Sequence, residues 1–176
     1  MHSFASSFDE KFTHIVKELP VWLTPFMKSI SFIGLPIVVI LLAFMIGVVA
    51  LLKGAPRVAF ALAASMATLG LNTVIKNIVD RPRPDTLYVE GMRIHSYSFP
   101  SGHTVGSTVL YGLLAYLAYS YLPQPFNIIA ALILGLLIFL VGISRVYLGA
   151  HFPSDVVAGW LLGGISLILI IKLIKP

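Results

Sequence analysis

Long apolar segments are the feature that most constrains the fold of this chain. Five of them contain few charged side chains, at residues 30–52, 58–75, 101–122, 126–147 and 156–171. A helix of about 20 apolar residues is long enough to cross the hydrocarbon core of a bilayer. Hydrophobic residues make up 58% of the 176 residues, well above their share in soluble domains. The sequence therefore predicts an all-α integral membrane bundle, with about five transmembrane helices in one domain over residues 30–176.

Residues 1–29 have a different pattern and are predicted to form a separate amphipathic segment. Phe8 and Phe12 recur at helical spacing with further apolar residues and define one apolar face. Ser7 and Glu10 have the spacing of a capping box at the start of a helix. The pattern favours a helix that lies in the membrane interface, and a soluble helix packed on the bundle is the alternative.

The charge balance indicates lipid partners rather than nucleic acid. The chain has 12 Lys and Arg against 7 Asp and Glu, a formal net charge of +5. The basic residues form no stripe interleaved with aromatic residues, so nucleic-acid binding is not expected. Anionic lipid headgroups are the expected partners of the cations. The sequence has no cysteine, which excludes disulfides, thiolate nucleophiles and cysteine-ligated zinc.

Three clusters of polar residues interrupt the apolar segments. They are Lys76 followed after six residues by Arg83-Pro84, then residues 100–103 (Pro-Ser-Gly-His), then Ser144-Arg145 with His151 and Asp155. Because successive spans alternate in direction, the loops at 76–99 and 148–155 lie on the same side of the membrane. Ionisable groups at the ends of spans usually have a function, so we predict that the three clusters form one site. His95 lies in the first of these loops and is considered as a substrate contact, although it matches no motif.

The second cluster has the chemistry of a phosphate site. Ser101 is a favourable residue for a helix N-cap, and a helix N-terminus offers backbone N–H groups and a positive dipole end to an anion. Gly102 allows a close approach to the backbone, and His103 lies in the first turn. Lys76 and Arg83 are suited to bind phosphate oxygens through an ammonium and a guanidinium group. Headgroup contacts at the membrane interface are the alternative for both cations.

The third cluster combines a cation, an imidazole and a carboxylate. Pro153 is predicted to start a helix, so Asp155 lies in its first turn, four residues after His151. A carboxylate that accepts from one imidazole nitrogen leaves the other nitrogen free for nucleophilic attack. A structural, salt-bridged triad with Arg145 is the alternative. No metal is expected, because a cavity lined by several cations repels a dication.

In order and spacing, the three clusters resemble the signature of the type 2 phosphatidic acid phosphatase superfamily, and the similarity extends over residues 30–176. The resemblance implies a helical membrane enzyme without a metal cofactor. It implies that His151 is the nucleophile and forms a phosphohistidine, that Asp155 orients it, and that His103 is the general acid. The residues implied in phosphate binding are Lys76, Arg83, Ser101, Gly102 and Arg145.

The function expected from this resemblance is a lipid phosphatase that uses no cofactor. The candidate substrates are undecaprenyl pyrophosphate, phosphatidylglycerol phosphate, the 1-phosphate of lipid A and phosphatidic acid. A lipid phosphotransferase with the same site is the alternative. A membrane transporter is disfavoured, because its polar residues would lie near the bilayer midplane rather than at the ends of the spans.

The predicted location is the inner membrane of a bacterium. The side opposite the three clusters carries Lys53, Arg57, Lys172 and Lys175 and no acidic residue, which favours the cytoplasm for that side. The resemblance to bacterial family members implies the same orientation. The site is therefore expected to face the periplasm or the cell exterior.

Overall fold

A computed structural model describes residues 6–91 and 96–174. Within these ranges the regular structure is entirely helical. The helices are α1 (Ser7–Lys17), α2 (Thr24–Ile33), α3 (Pro36–Leu52), α4 (Pro56–Val79), α5 (Leu87–Gly91), α6 (Gly102–Tyr121), α7 (Phe126–Tyr147) and α8 (Pro153–Ile174), with a 3-10 turn at Val21–Leu23. The predicted all-α membrane bundle is confirmed.

Three helices of the described chain, α4, α7 and α8, are long and apolar enough to cross a membrane, and α2 with α3 can form a fourth, broken span. The sequence predicted one helix over residues 30–52. This is wrong, because the chain bends by 47° between α2 and α3. Gly34 is the C-cap of α2, and Pro36 is the first residue of α3. One regular helix cannot continue through Pro36, because proline has no N–H to donate to the preceding turn. Helix α6, with 20 residues, is not among the qualifying helices, so the count of five spans stays a prediction.

Helix α6 lies at the centre of the bundle and contacts α3, α4, α7 and α8. The approach of α8 is so close that a Cβ atom at Gly163 would lie 2.6 Å from the Cβ of Thr108. One turn earlier, a Cβ atom at Gly159 would lie 2.8 Å from the Cβ of Thr104. Small residues permit this kind of contact between membrane helices. The contact holds the N-terminal ends of α6 and α8 side by side.

Helix α1 packs on α7 and α8 through its polar edge. Asp9 is 1% exposed, whereas Phe8 on the apolar face is 41% exposed. The capping box predicted for Ser7 and Glu10 is wrong by one residue: Ser6 is the N-cap, and Asp9 is its partner because its carboxylate is also held by the bundle. A soluble helix would bury its apolar face on the bundle. The outward apolar face instead supports the interfacial position, which stays a prediction.

Candidate active site

Residues from all three polar clusters line one cavity of about 1090 Å³. The predicted site residues in its wall are Lys76, Arg83, Gly102, His103, Arg145 and His151. Asp155 lies beside His151 and is fully buried. These side chains come from the C-terminal ends of α4 and α7, the N-terminal ends of α6 and α8, and the loops between them. Because successive helices run in opposite directions, these ends meet at one face of the bundle.

Lys76 and Arg83 hold the loop that precedes α6. The Lys76 ammonium group donates to the carbonyl oxygen of Tyr97 at 2.7 Å. The Nε of Arg83 donates to the carbonyl oxygen of Ser96 at 2.8 Å. Burial, followed by the charge of Arg145, lowers the pKa of Arg83 to about 10, so Arg83 keeps its charge at neutral pH. Both cations therefore remain available to an anion in the cavity while they position the loop.

His151 is 3% exposed and is in contact with Arg83. The Nη1 of Arg83 lies 3.1 Å from the Nε2 of His151. A guanidinium group can only donate, so Nε2 accepts this hydrogen bond and the ring proton lies on Nδ1. Burial, followed by the charges of Arg83, Arg145 and Lys76, holds the pKa of His151 well below its usual value. The imidazole is therefore neutral, with the lone pair on Nε2 that a nucleophile requires.

The other ring nitrogen of His151 faces a carboxylate and a hydroxyl group. Nδ1 lies 3.5 Å from Oδ2 of Asp155 and 3.4 Å from Oγ of Ser98. The Ser98 hydroxyl donates to the same Oδ2 at 2.5 Å, and the N–H of Phe152 donates to it at 2.9 Å. Ser98 thus lies between His151 and Asp155, which the sequence predicted to contact each other directly. The Ser98 hydroxyl and the Phe152 N–H orient the carboxylate. Asp155 lies in the first turn of α8, as predicted.

Two cavity residues have a buried nitrogen atom with no hydrogen-bond partner among the described residues, namely Nε2 of His103 and Nε of Arg145. The Nη1 of Arg145 donates to the hydroxyl of Ser31 on α2. Leaving a buried polar atom unpaired costs about 1–3 kcal/mol. A ligand with several oxygen atoms would remove this cost by accepting from Nε of Arg145 and forming a hydrogen bond with Nε2 of His103. The cavity is therefore suited to an oxyanion.

The same cavity has an apolar wall. Its apolar residues come from α2, the start of α3 and the segment between α1 and α2, and they are Leu19, Val21, Phe32, Leu35 and Pro36. Lys17 and Lys28 also line the cavity. The cavity therefore combines a cationic end with an apolar side, a shape that fits a molecule with an anionic head and an apolar tail.

The model of the PAP2 superfamily matches residues 54–176, more than half of the chain. The chain belongs to the PAP2 superfamily. Phosphatidylglycerophosphatase B of Bacillus subtilis (strain 168) is 41% identical over 95 residues, which cover 53% of this PAP2 protein and 46% of the relative. The undecaprenyl-diphosphatase of Sulfolobus acidocaldarius is 31% identical over 144 residues, 76% of this chain and 59% of the relative. The chain thus spans about half the length of the curated relatives it matches.

Two crystal structures share the fold of this PAP2 protein. A transmembrane PAP2-type phosphatidylglycerolphosphate phosphatase from Bacillus subtilis superposes with a TM-score of 0.80 and 31% identity, covering 94% of this chain and 83% of that one. LpxE from Aquifex aeolicus superposes with a TM-score of 0.75 and 25% identity, covering 98% and 99% of the two chains.

Ser101 of the PAP2 motif does not reach the cavity with its side chain. The residue is fully buried, and its Oγ accepts from Oγ1 of Thr104 at 3.0 Å. It occupies the predicted N-cap position, but its side chain caps no backbone N–H. Its backbone N–H donates to the carbonyl oxygen of Asp155 at 3.0 Å. In this structure Ser101 therefore joins α6 to α8, and the predicted contact of its hydroxyl with phosphate stays a prediction.

Three residues of the site region lie outside the pattern that the sequence indicated. Ser98 contacts both His151 and Asp155, and Arg81 donates to Asp155 and to Asp9. Arg81 and Ser98 lie close to motif residues in sequence, which is a weak signal. Asp9 has no such signal, because it lies in another segment. His95, considered above as a substrate contact, lies outside the described residues.

Proposed function

We propose that this PAP2 protein hydrolyses a phosphate or diphosphate ester on a lipid headgroup and releases inorganic phosphate through a phosphohistidine on His151. The observation that carries this proposal is a neutral, buried imidazole at the cationic end of a cavity with an apolar wall. The relatives support the same class of reaction, since those compared above are named phosphatidylglycerophosphatase and undecaprenyl-diphosphatase.

In the first step, Nε2 of His151 attacks phosphorus and the bond from phosphorus to the lipid oxygen breaks. Arg83 moves from Nε2 to a phosphate oxygen, where Lys76 and Arg145 share the charge of the transition state. The bound anionic phosphate favours the charged form of the neighbouring imidazole, so in this scheme His103 enters protonated and gives its proton to the leaving oxygen of the lipid. The carboxylate of Asp155 stabilises the positive charge that develops on His151.

In the second step, water attacks the phosphohistidine and the bond from phosphorus to nitrogen breaks. His103, now neutral, accepts a proton from this water. The products are inorganic phosphate and neutral His151, so the enzyme returns to its starting state. No metal is needed in this scheme, because the cations of the cavity supply the positive charge that a metal would bring to phosphate.

Hydrolysis is favoured over transfer to a second lipid by a smaller cavity of about 430 Å³. Arg83 and His151 line both cavities, and the smaller one also carries Asp85 and Thr86. This second cavity beside the nucleophile gives water a route to the phosphohistidine that does not cross the space proposed for the lipid. A transporter is disfavoured, since the ionisable groups meet at one face of the bundle rather than at its middle.

The substrates we propose are phosphatidylglycerol phosphate, undecaprenyl pyrophosphate, the 1-phosphate of lipid A and phosphatidic acid. The protein is proposed to act in the inner membrane of a bacterium, with the site facing the periplasm or the cell exterior. In this orientation the lipid tail stays in the bilayer beside the apolar wall while the headgroup reaches His151.

The test is release of inorganic phosphate by the purified protein in detergent from these four lipids and from water-soluble glycerol phosphate. We expect turnover of at least one lipid and much slower turnover of glycerol phosphate. His151→Ala should lower kcat by at least about 1000-fold, because removal of a nucleophile has effects of this size.

His14→Ala is the matched control, since the His14 side chain is exposed and pairs with Glu18 of its own helix. It should keep wild-type turnover. Wild-type turnover by the His151→Ala variant would refute the catalytic assignment. Phosphate that appears on a second lipid instead of in solution would identify a phosphotransferase.

A further inference from the structure

Helix α1 meets the site through one buried carboxylate. Asp9 accepts at Oδ1 from the backbone N–H of Ser154, at 2.8 Å, and at Oδ2 from the hydroxyl of Ser154, at 3.0 Å. The same carboxylate closes the capping box with Ser6. Burial acts to raise the pKa of Asp9, but hydrogen bonds from Ser154, Arg81 and Ser6 outweigh it and lower the pKa to about 2. Asp9 is therefore a fixed negative charge at the start of α8.

Arg81 connects this charge to the carboxylate beside His151. Its Nη2 donates to Oδ2 of Asp9 at 2.9 Å, and its Nη1 donates to Oδ1 of Asp155 at 2.6 Å. The guanidinium carbon lies 4.2 Å from the centroid of the Phe152 ring, a cation–π distance. Arg81 is only 13% exposed, so solvent screens these contacts weakly. One guanidinium group is thus held between two carboxylates.

This arrangement has a consequence for the chemistry of Asp155. An unshared guanidinium charge at 2.6 Å from Asp155 would offset much of the electrostatic effect of this carboxylate on His151. Asp9 offsets part of that field. Asp9 also fixes the position of Arg81, which donates to Oδ1 of Asp155. The other oxygen of Asp155, Oδ2, accepts from the Ser98 hydroxyl. The orientation of the carboxylate toward the imidazole therefore depends on a residue of α1.

We propose that Asp9 is a positioning residue that acts through Arg81 to orient Asp155 and to offset the positive field of Arg81 at His151. The inference rests on the proposed function, and it assigns to the N-terminal helix a role in turnover rather than only in membrane attachment. Asp9 does not line the larger cavity that is proposed to hold the lipid phosphate, so it should affect kcat and leave KM nearly unchanged.

The test compares kcat and KM of the full chain in detergent for Asp9→Asn, with the lipid phosphate that the wild type hydrolyses fastest. We expect kcat to fall by about 10- to 100-fold, by analogy with the partners that orient metal-ligating histidines, with KM within about twofold. Glu18→Gln makes the same chemical change on an exposed residue at the end of α1, and should match the wild type.

A second comparison asks whether the effect passes through Arg81. If it does, the double variant Asp9→Asn with Arg81→Ala should turn over no more slowly than Arg81→Ala alone. Should Asp9→Asn fail to fold, Ser154→Ala removes a hydroxyl that accepts from Arg81 and donates to Asp9, and it should lower kcat by a smaller factor, again at constant KM.

Several results would overturn the inference. One is a folded Asp9→Asn variant with wild-type kcat, and another is a rise in KM alone, which would mean that α1 only shapes the entrance. Multiplied effects in the double variant would show that Asp9 and Arg81 act separately. A wild-type protein that hydrolyses none of the lipids would refute the proposed function itself, and this inference with it.

Discussion

At the scale of single residues, the local environment of His151 decides its chemistry. Arg83 donates to Nε2, so the ring proton lies on Nδ1, beside Ser98 and Asp155. The distance of 3.5 Å from Nδ1 to the carboxylate is longer than a good hydrogen bond. The Ser98 hydroxyl donates to Asp155 at 2.5 Å and lies 3.4 Å from Nδ1, so it forms a second contact between the two groups. Ser98 is therefore expected to matter for turnover, although it does not line the cavity.

Replacement of Ser98 by alanine tests this expectation. Hydrogen bonds to charged groups are worth about 1.5–3 kcal/mol, which corresponds to roughly 10- to 100-fold in rate. We expect Ser98→Ala to lower kcat by this factor with a small change in KM, as measured by phosphate release. Ser120→Ala removes an exposed hydroxyl that bonds only to its own helix and should behave as wild type. Equal turnover in both variants would exclude a role for Ser98.

At the scale of helices, the packing of α8 on α6 places Asp155 beside the N-terminal end of α6. The backbone N–H of Ser101 donates to the carbonyl oxygen of Asp155, and two glycines of α8 keep the helices in contact below that point. The bend at Gly34 brings α2 against α7, where Ser31 binds Arg145. Helix packing thus sets the positions of both the carboxylate and one of the cations proposed to bind phosphate.

The glycines of α8 allow a matched pair of substitutions. A Cβ atom at Gly163 would lie 2.6 Å from the Cβ of Thr108 and 3.1 Å from the carbonyl oxygen of Val105. Overpacking of this kind costs about 1–3 kcal/mol, or roughly 2–12 °C in Tm for a protein of this size. Gly163→Ala should therefore melt earlier in detergent.

The neighbouring Gly164 serves as the control. A Cβ atom there meets nothing within 4 Å, and alanine favours helix by up to about 1 kcal/mol. Gly164→Ala should therefore keep or slightly raise the Tm. An equal loss of Tm in both variants would mean that helix contact is not the cause.

At the scale of the whole molecule, the described part of the bundle has the candidate site at one face and the turn between α3 and α4 at the opposite face. Lys76 lies 20 residues after the start of α4, which places it about 30 Å from the turn at the other end of that helix. The cavity opens on the side of Lys76, and α1 contacts the same side through Asp9. The predicted orientation therefore depends on which of these two faces lies outside the cytoplasm.

Cysteine labelling answers this question directly, because the chain has no cysteine of its own. Glu90 on α5 is exposed on the site side, and Lys53 is exposed in the turn between α3 and α4. In intact spheroplasts, an impermeant maleimide should label Glu90→Cys and should label Lys53→Cys only after the membrane is permeabilised. The reverse pattern would place the site in the cytoplasm.

Much of the architecture follows from local properties that a sequence displays. Apolar length predicts helices in a membrane, and the alternation of spans predicts that three clusters far apart in the chain reach one face. Pro153 predicts the start of α8, and with it the position of Asp155 in the first turn. These features are determined by composition and by the direction of the chain, so they need no knowledge of side-chain contacts.

The tertiary structure alone decided which polar groups meet. The link from Asp9 through Arg81 to Asp155 joins residues 72 and 74 positions apart, and no periodicity relates them. Ser98 and Ser101 look alike in the sequence, yet one contacts His151 while the other is turned toward Thr104. Whether two groups form a hydrogen bond depends on differences of a few tenths of an ångström in the distance between donor and acceptor. Those distances are set only when all the helices and loops have packed together.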